Sequence, residues 1–230
     1  MGVQRPPLTA LWVDLGLPSG NRWAVSNLDA AGPYFFQESP FKYECSFFSW
    51  GNVTPHNPKN STSFDYNFGG VNSSAPYYEG QRYGDTPGSK LTGNIPLSND
   101  AARIMLGNPW RMPSAADFTE LISYTSFIDA NGNELPSTTT DKRVTVNGVI
   151  GIYLQSKING ARLFFSCSGI GYGQMWTGKA NYGQIWSTTF VSERNSRYIF
   201  FGVNRITPQD GGARSSGLPI RPIWKPDDLR

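Results

Sequence analysis

Histidine is almost missing from this chain: His56 is the single copy in 230 residues. A Ser–His–Asp triad needs a histidine base with its orienting carboxylate, and catalytic zinc sites lean on several histidines, so both are hard to assemble. The G-x-S-x-G nucleophile elbow is absent as well. Cysteine is nearly as rare. Cys45 and Cys167 stand far apart and form no C-x-x-C pair, which excludes zinc-ribbon and thioredoxin-type motifs. They are compatible with one long-range disulfide or with two reduced thiols packed as small hydrophobes. Charge is also thin, at 16% of residues and a net +3, with no Lys/Arg stripe, so nothing points to nucleic acid. No apolar run approaches the ~18 residues of a membrane span. Residues 1–16 carry no signal-peptide pattern, which predicts either a chain that works where it is made or one whose leader has been removed.

What is present is glycine (25), proline (17) and 14% aromatic residues. Turns must be plentiful, and aromatics must supply much of the buried apolar area. The richest stretch is the last sixty residues. From Ser166 they are dominated by Gly, Tyr, Trp, Asn, Ser, Gln and Arg, with Trp176, Trp186, Phe200, Phe201 and Trp224 as apparent framework anchors. Tyr and Trp give rigid contact area at low entropy cost, and Ser, Gly and Asn give adaptable hydrogen bonds. A stiff frame presenting such a face points to recognition rather than catalysis.

Residues 10–27 read as two short strands around a PSGN turn, and a strand is expected near Cys45–Trp50. Residues 54–96 read as one long polar loop. Two helices follow. One starts at Ser98 or Asn99 as N-cap, stops at Gly107, and has Ala101, Ala102, Ile104 and Met105 on its apolar face. The other starts at Ser114, with Asp117 completing a capping box and Phe118, Leu121 and Ile122 at helical spacing. Strands are then expected in KRVTVNG, VIGIYLQSK, ARLFFSCSG, GQIWSTTF, SRYIFFGVN and LPIRPIW, with tight turns at 147–149 and 159–161. The fold class is α+β, with residues 1–10 as an N-terminal arm and 11–230 as one domain.

Several segments carry a family likeness. WVDLGLPSGNRWAVSN (12–27), DAARIMLGNPWRMPSAADFTELI (100–122), FFSCSGIGYGQ (164–174), NYGQIWSTTF (181–190) and RSSGLPIRPI (214–223) resemble, in order, the conserved segments of FISUMP-type domains (the Fibrobacter succinogenes major domain). The resemblance covers nearly the whole chain, and WRMP with the closing IRPI is its most specific part. It departs at Cys167, where the family has a small residue, and in the longer loop 54–96.

The resemblance implies a C-type-lectin-like fold: two short helices flanking small antiparallel sheets with long irregular loops, the terminal strands paired. That fold also occurs in formylglycine-generating enzymes and in variable proteins of diversity-generating retroelements. Among the latter are phage receptor-binding proteins and bacterial adhesins, whose C-terminal portions carry the ligand-binding residues.

The expected contact residues are Tyr172, Gln174, Met175, Lys179, Asn181, Tyr182, Gln184, Arg194, Asn195, Arg197, Asn204, Arg205, Gln209, Asp210 and Arg214. Trp12, Trp23, Trp50, Trp110 and Trp224 are expected in the core. Arg111 should knit helix to sheet, and Arg221 should hold the last strand. His56 is expected on an exposed loop, and the IDANGNE segment as a polar turn rather than a calcium loop. No catalytic residue, cofactor or required metal is expected.

The leading expectation is therefore a non-enzymatic receptor-binding or tail-fibre protein of a phage virion. It would bind a host cell-surface protein or glycan and assemble with other virion or fibre subunits, as a homo-oligomer and in particular a trimer. It would neither insert in a membrane nor bind nucleic acid. The alternatives are a secreted bacterial surface adhesin, a structural virion decoration protein, and an oxidase related to the formylglycine-generating enzymes that would depend on Cys167.

Overall fold

A computed structural model describes residues 11–68, 91–192 and 194–225. The arm expected over 1–10 and residues 69–90 of the loop expected over 54–96 lie outside the described residues.

The chain's two ends meet in one antiparallel sheet. β1 (Trp12–Asp14) and β2 (Arg22–Ala24) form the expected hairpin. β13 (Ile223–Trp224) pairs with β2 and also with β4 (Trp110–Arg111), giving the order β1–β2–β13–β4. Of the expected strand LPIRPIW, only these last two residues join this ladder. Leu218 instead bridges Phe48 across to the segment expected as a strand at 45–50, which is held by single bridges rather than a ladder.

Two short helices pack beside this sheet. α1 (Ala101–Leu106) is capped by Asp100, not by Ser98 or Asn99, which lie in a preceding 3-10 turn. The reason is reach. The buried Asp100 carboxylate accepts from Arg103 N at 3.0 Å and from Met112 N at 2.9 Å, so it closes the helix and anchors β4 together. Ile104, expected on the apolar face, is 55% exposed; Ala101 and Ala102 are the buried positions. α2 (Ala115–Ser123) has the expected capping box between Ser114 and Asp117 and buries Phe118 and Leu121. Arg111 reaches from β4 to Asp117 at 2.9 Å, and Asn21 donates to the same carboxylate at 2.7 Å. Helix and sheet are thus knit by one ionic network, most of it shielded from solvent.

A second sheet is built on β7 (Val149–Ser156). β8 (Arg162–Ser166) pairs along it, while β6 (Arg143–Val146) and β5 (Thr125–Phe127) pair with its first and last residues. The β6–β7 turn has Asn147 at φ 50 and Gly148 at φ 80, the two positive values a two-residue type I′ hairpin requires. The remaining strands are β3 (Ser63–Phe68) paired with β9 (Ile170–Thr177), and the three-stranded sheet β10 (Gly183–Phe190), β11 (Asn195–Phe201) and β12 (Ile206–Ala213). Every named strand pair is antiparallel. The architecture is therefore α+β, with small antiparallel sheets and little helix.

Three aromatic clusters fill the interior. One joins Trp50, Trp110 and Trp186; a second joins Trp23, Phe118, Phe165 and Phe201; a third joins Phe47, Phe64, Phe68 and Trp176. Buried indoles need partners for their N–H groups. Trp50 donates to Ser187 O and Trp186 to Phe48 O, both at 2.7 Å, so two tryptophans bolt β10 to the 48–50 segment. Trp12 and Trp224, expected in the core, are only half-buried. They stack on each other at 5.6 Å at the edge of the first cluster, with the Arg22 guanidinium 4.2 Å above Trp12.

Candidate recognition surface

The fifteen expected contact residues do not form one patch. β10 and β11 run antiparallel, so one end of their hairpin carries Tyr182 and the other Arg194 and Asn195. Eight residues of strand at about 3.3 Å each separate the two ends by roughly 25 Å.

The end near Tyr182 is the developed one. Asn181, Tyr182, Phe200, Val203, Asn204 and Arg205 line an open cleft of about 270 Å³. The Tyr182 and Phe200 rings stack at 5.8 Å, and the Arg205 guanidinium lies 4.4 Å from the Phe200 ring centre. Arg205 is held by Asp210 at 2.7 Å, which neutralises its charge and fixes its plane. Arg143 donates to the Asn181 carbonyl at 2.5 Å while its other nitrogens hold Asp141, so the cleft's far wall is pinned from β6. Gly178 makes the approach of Tyr182 feasible. A Cβ on it would lie 2.1 Å from the tyrosine ring, and its φ of 74 is in the region that suits glycine. Phe200 and Val203 were not among the expected contact residues. Their signal was an apolar pair either side of a Gly202 turn, with Val203 40% exposed.

A second group adjoins the first across Gly178. Tyr172, Gln174 and Met175 lie on β9, with Met175 57% exposed. Lys179 follows in the turn, its ammonium 4.3 Å from the Trp176 ring centre.

Other expected contact residues serve the frame. Arg197 donates to Gln209 O at 2.8 Å, and Gln209 donates to Thr119 on α2 at 2.8 Å, tying the sheet to the helix. Gln184 is half-buried opposite Phe200. Arg214 is a clear correction: it is 1% exposed, stacked 4.3 Å from the Trp50 ring centre and donating to Leu91 O at 3.1 Å. Its guanidinium lies between the tryptophan and the chain at Leu91, inside the frame rather than on the surface.

His56 is also corrected, from exposed to half-buried. Its ring stacks on Tyr66 at 3.5 Å, with Phe68 edge-on, and burial pushes its pKa down to about 4. The folded state therefore prefers the neutral ring, whose unfolded pKa is near 6.5. Its stabilising effect is complete above that value and is lost as pH falls from about 6.5 towards about 4. Urea unfolding of the wild type across that window should show a fall in stability that His56→Phe reduces. An identical pH profile in the variant would reject this role.

Cys45 and Cys167 are both free and fully buried. Burial pushes the Cys167 thiol up to about 12 and raises Cys45 as well, so both are protonated at neutral pH and poor nucleophiles. In the IDANGNE turn, Asp129 accepts from the backbone of Asn131 and Asn133, each at 2.8 Å, and so spends its carboxylate on the turn itself. Among the described residues no three His, Cys, Asp or Glu side chains gather as a metal site, and no helix is long and apolar enough to cross a membrane. No protein-family model matches this chain, and neither does any curated protein or solved structure.

Proposed function

We propose that this chain is a non-enzymatic recognition module of C-type-lectin-like, FISUMP-type design, and that it acts as a phage receptor-binding or tail-fibre tip protein on a host cell-surface protein or glycan. The observation that carries the reading is the cleft at the open end of the β10–β11 hairpin. It places stacked aromatic rings, a charge-neutralised arginine and two asparagines at the end of the three-stranded sheet, with Phe200 on β11 and the others in the connections beside it. Aromatic and arginine anchors on a preorganised frame are how a small number of contacts come to dominate binding. Further support for the fold assignment comes from the N-terminal hairpin and the last strand sharing one sheet, β13 lying between β2 and β4, and from the WRMP segment, whose Trp110 and Arg111 form β4 between the helices in sequence. The adjoining β9 group extends the face, and repetition of the face in a trimer would add avidity.

The labelled full chain is the probe, applied to panels of bacterial cells and to an array of their surface glycans. Tyr182→Ala should weaken binding at least about tenfold, the scale of one hot-spot residue, with little change in the unfolding curve. Full binding by Tyr182→Ala, or no binding anywhere by the wild type, would sink the assignment. Sequencing the gene across its source population adds an independent arm. Adenine-directed substitutions should concentrate in the codons for 171–182 and 202–205, and should spare Trp176 and Arg214.

A further inference from the structure

Two arginines stand beside the cleft at Tyr182, and neither offers a free charge. The Arg205 guanidinium is paired with Asp210 at 2.7 Å, and that of Arg143, which pins Asn181, is paired with Asp141 at 2.8 Å. An anionic ligand would have to compete with carboxylates already in place, and a cationic one would meet the arginines. The site therefore suits an uncharged ligand. Size sets a second limit. A volume of about 270 Å³ falls just below the ~300–1,000 Å³ of drug-sized sites, which leaves room for one ring and its substituents.

The hydrogen-bonding groups left uncommitted there are mostly donors. Asn204 is exposed, and its side chain makes no hydrogen bond among the described residues. The side-chain oxygen of Asn181 accepts weakly from Arg143 at 3.5 Å, which leaves both amide hydrogens unused. Arg205 spends one nitrogen on Asp210 and keeps the others for a ligand. Against these donors stands the Asn204 side-chain oxygen as an acceptor. Apolar surface lies next to them in Phe200 and in Val203, which is 40% exposed. A ligand matched to this set carries a carbonyl acceptor, a small apolar group beside it, and hydroxyls that both accept and donate. An acetamido group holds the carbonyl and a methyl on one carbon, and a pyranose ring supplies the hydroxyls. The surroundings fit a protein partner less well. Specific protein interfaces bury ~800 Å² on each side around an apolar centre, whereas Val203 is the one exposed hydrophobic residue lining this cleft, among exposed Asn181, Asn204 and Arg205.

We propose that the cleft is a subsite for a single N-acetylhexosamine residue of a surface glycan. Arg205 and Asn204 take the acetamido carbonyl, Val203 and Phe200 take its methyl group, and Asn181 meets the ring hydroxyls. This inference rests on the recognition reading above and narrows its protein or glycan ligand to one class of sugar.

The test is a titration of the isotopically labelled full chain, read by its amide chemical shifts. The probes are the methyl glycosides of N-acetylglucosamine, N-acetylgalactosamine, glucose and glucuronic acid, and an acetyl-lysine peptide. At least one of the N-acetyl sugars should shift Tyr182, Val203 and Asn204 saturably, with a dissociation constant on the order of 1 mM, as befits one sugar-sized ligand. The glucoside should bind roughly tenfold more weakly, the worth of a lost carbonyl contact. Asn204→Ala removes no described side-chain contact, so the fold is not at issue, and it should erase most of that preference. Equal binding of the glucoside, stronger binding of the glucuronoside, or equal shifts from the peptide would overturn the proposal. Silence with every probe would overturn it as well. The cell panel described above then separates the two claims. Cell binding that Tyr182→Ala abolishes, with no sugar-induced shift, rejects the sugar subsite and leaves the recognition reading with a protein ligand. A sugar-induced shift without binding to any cell keeps the subsite and rejects host attachment.

Discussion

Arg221→Ala should cost about 3–5 kcal/mol and leave the chain largely unfolded at moderate denaturant concentrations. Arg221 is 0% exposed and no carboxylate within reach balances it among the described residues. Its guanidinium instead donates to Asn27 Oδ1 at 2.8 Å, Ala24 O at 3.1 Å, Val25 O at 2.8 Å and Phe164 O at 3.1 Å. The Phe165 ring lies beneath it at 4.4 Å. Burial lowers its pKa to about 9, still above neutral, so the group keeps its charge and all its donors at physiological pH. Truncation would strip partners from two buried carbonyls, one half-buried carbonyl and one buried amide at once, and an unsatisfied buried acceptor costs ~1–3 kcal/mol. Arg221→Lys should fail to restore stability, because an ammonium has three donors and no planar fork. Urea unfolding of the wild type and both variants reads this directly. A loss below about 1 kcal/mol in Arg221→Ala would mean that water or backbone shifts replace the fork.

The hub also shows which parts of the fold were legible in the sequence. Arg221 stood out as a charged residue inside the apolar PIRPI segment, and that was enough to place it in the frame. Strands with apolar alternation or β-branched runs, such as VIGIYLQSK and GQIWSTTF, were equally readable, as were the Asn147–Gly148 turn and the Ser114 capping box. The losses have specific causes. β3 was hidden in a polar loop although Phe64, Tyr66 and Phe68 alternate at the period of a strand; the surrounding Asn, Ser and Gly masked it. β9 and β12 were not among the expected strands because glycine and proline interrupt them. β12 tolerates Pro208, Gly211 and Gly212 because it pairs only with β11 and sits at a sheet edge. In β9, Gly171 is needed for packing: a Cβ there would lie 2.5 Å from the Phe68 ring, and one on its bridge partner Gly217 would lie 2.4 Å from the same ring. Glycines that admit an aromatic ring look the same in sequence as glycines that turn the chain.

The candidate surface was half legible for a related reason. Composition can identify a polar–aromatic stretch, but it cannot say which arginines face out. Arg205 lies between Asn204 and Ile206, and Arg214 between Ala213 and Ser215; neither setting says which guanidinium is buried, and only the structure separates them. Arg205 has a 55% exposed side chain and an ion pair to Asp210, whereas Arg214 is buried against Trp50 and Phe190.

Their truncations should therefore have opposite signatures. Arg214→Ala should cost about 3 kcal/mol, because it opens a cavity beside Trp50 and removes a buried stacking partner and a hydrogen bond to Leu91 O. Arg205→Ala should change stability by no more than ~1 kcal/mol, the usual worth of an exposed ion pair. Binding should separate the two in reverse. Arg205→Ala removes the guanidinium that lines the cleft beside Phe200, so affinity for the proposed surface ligand should fall about tenfold or more at full folding. Arg214→Ala, measured below its own unfolding transition, should bind nearly as the wild type does. Equilibrium unfolding and a binding titration on the same samples decide between frame and face. If Arg214→Ala loses affinity while keeping its stability, the buried arginine belongs to the recognition surface after all, and the boundary drawn here between frame and face is wrong.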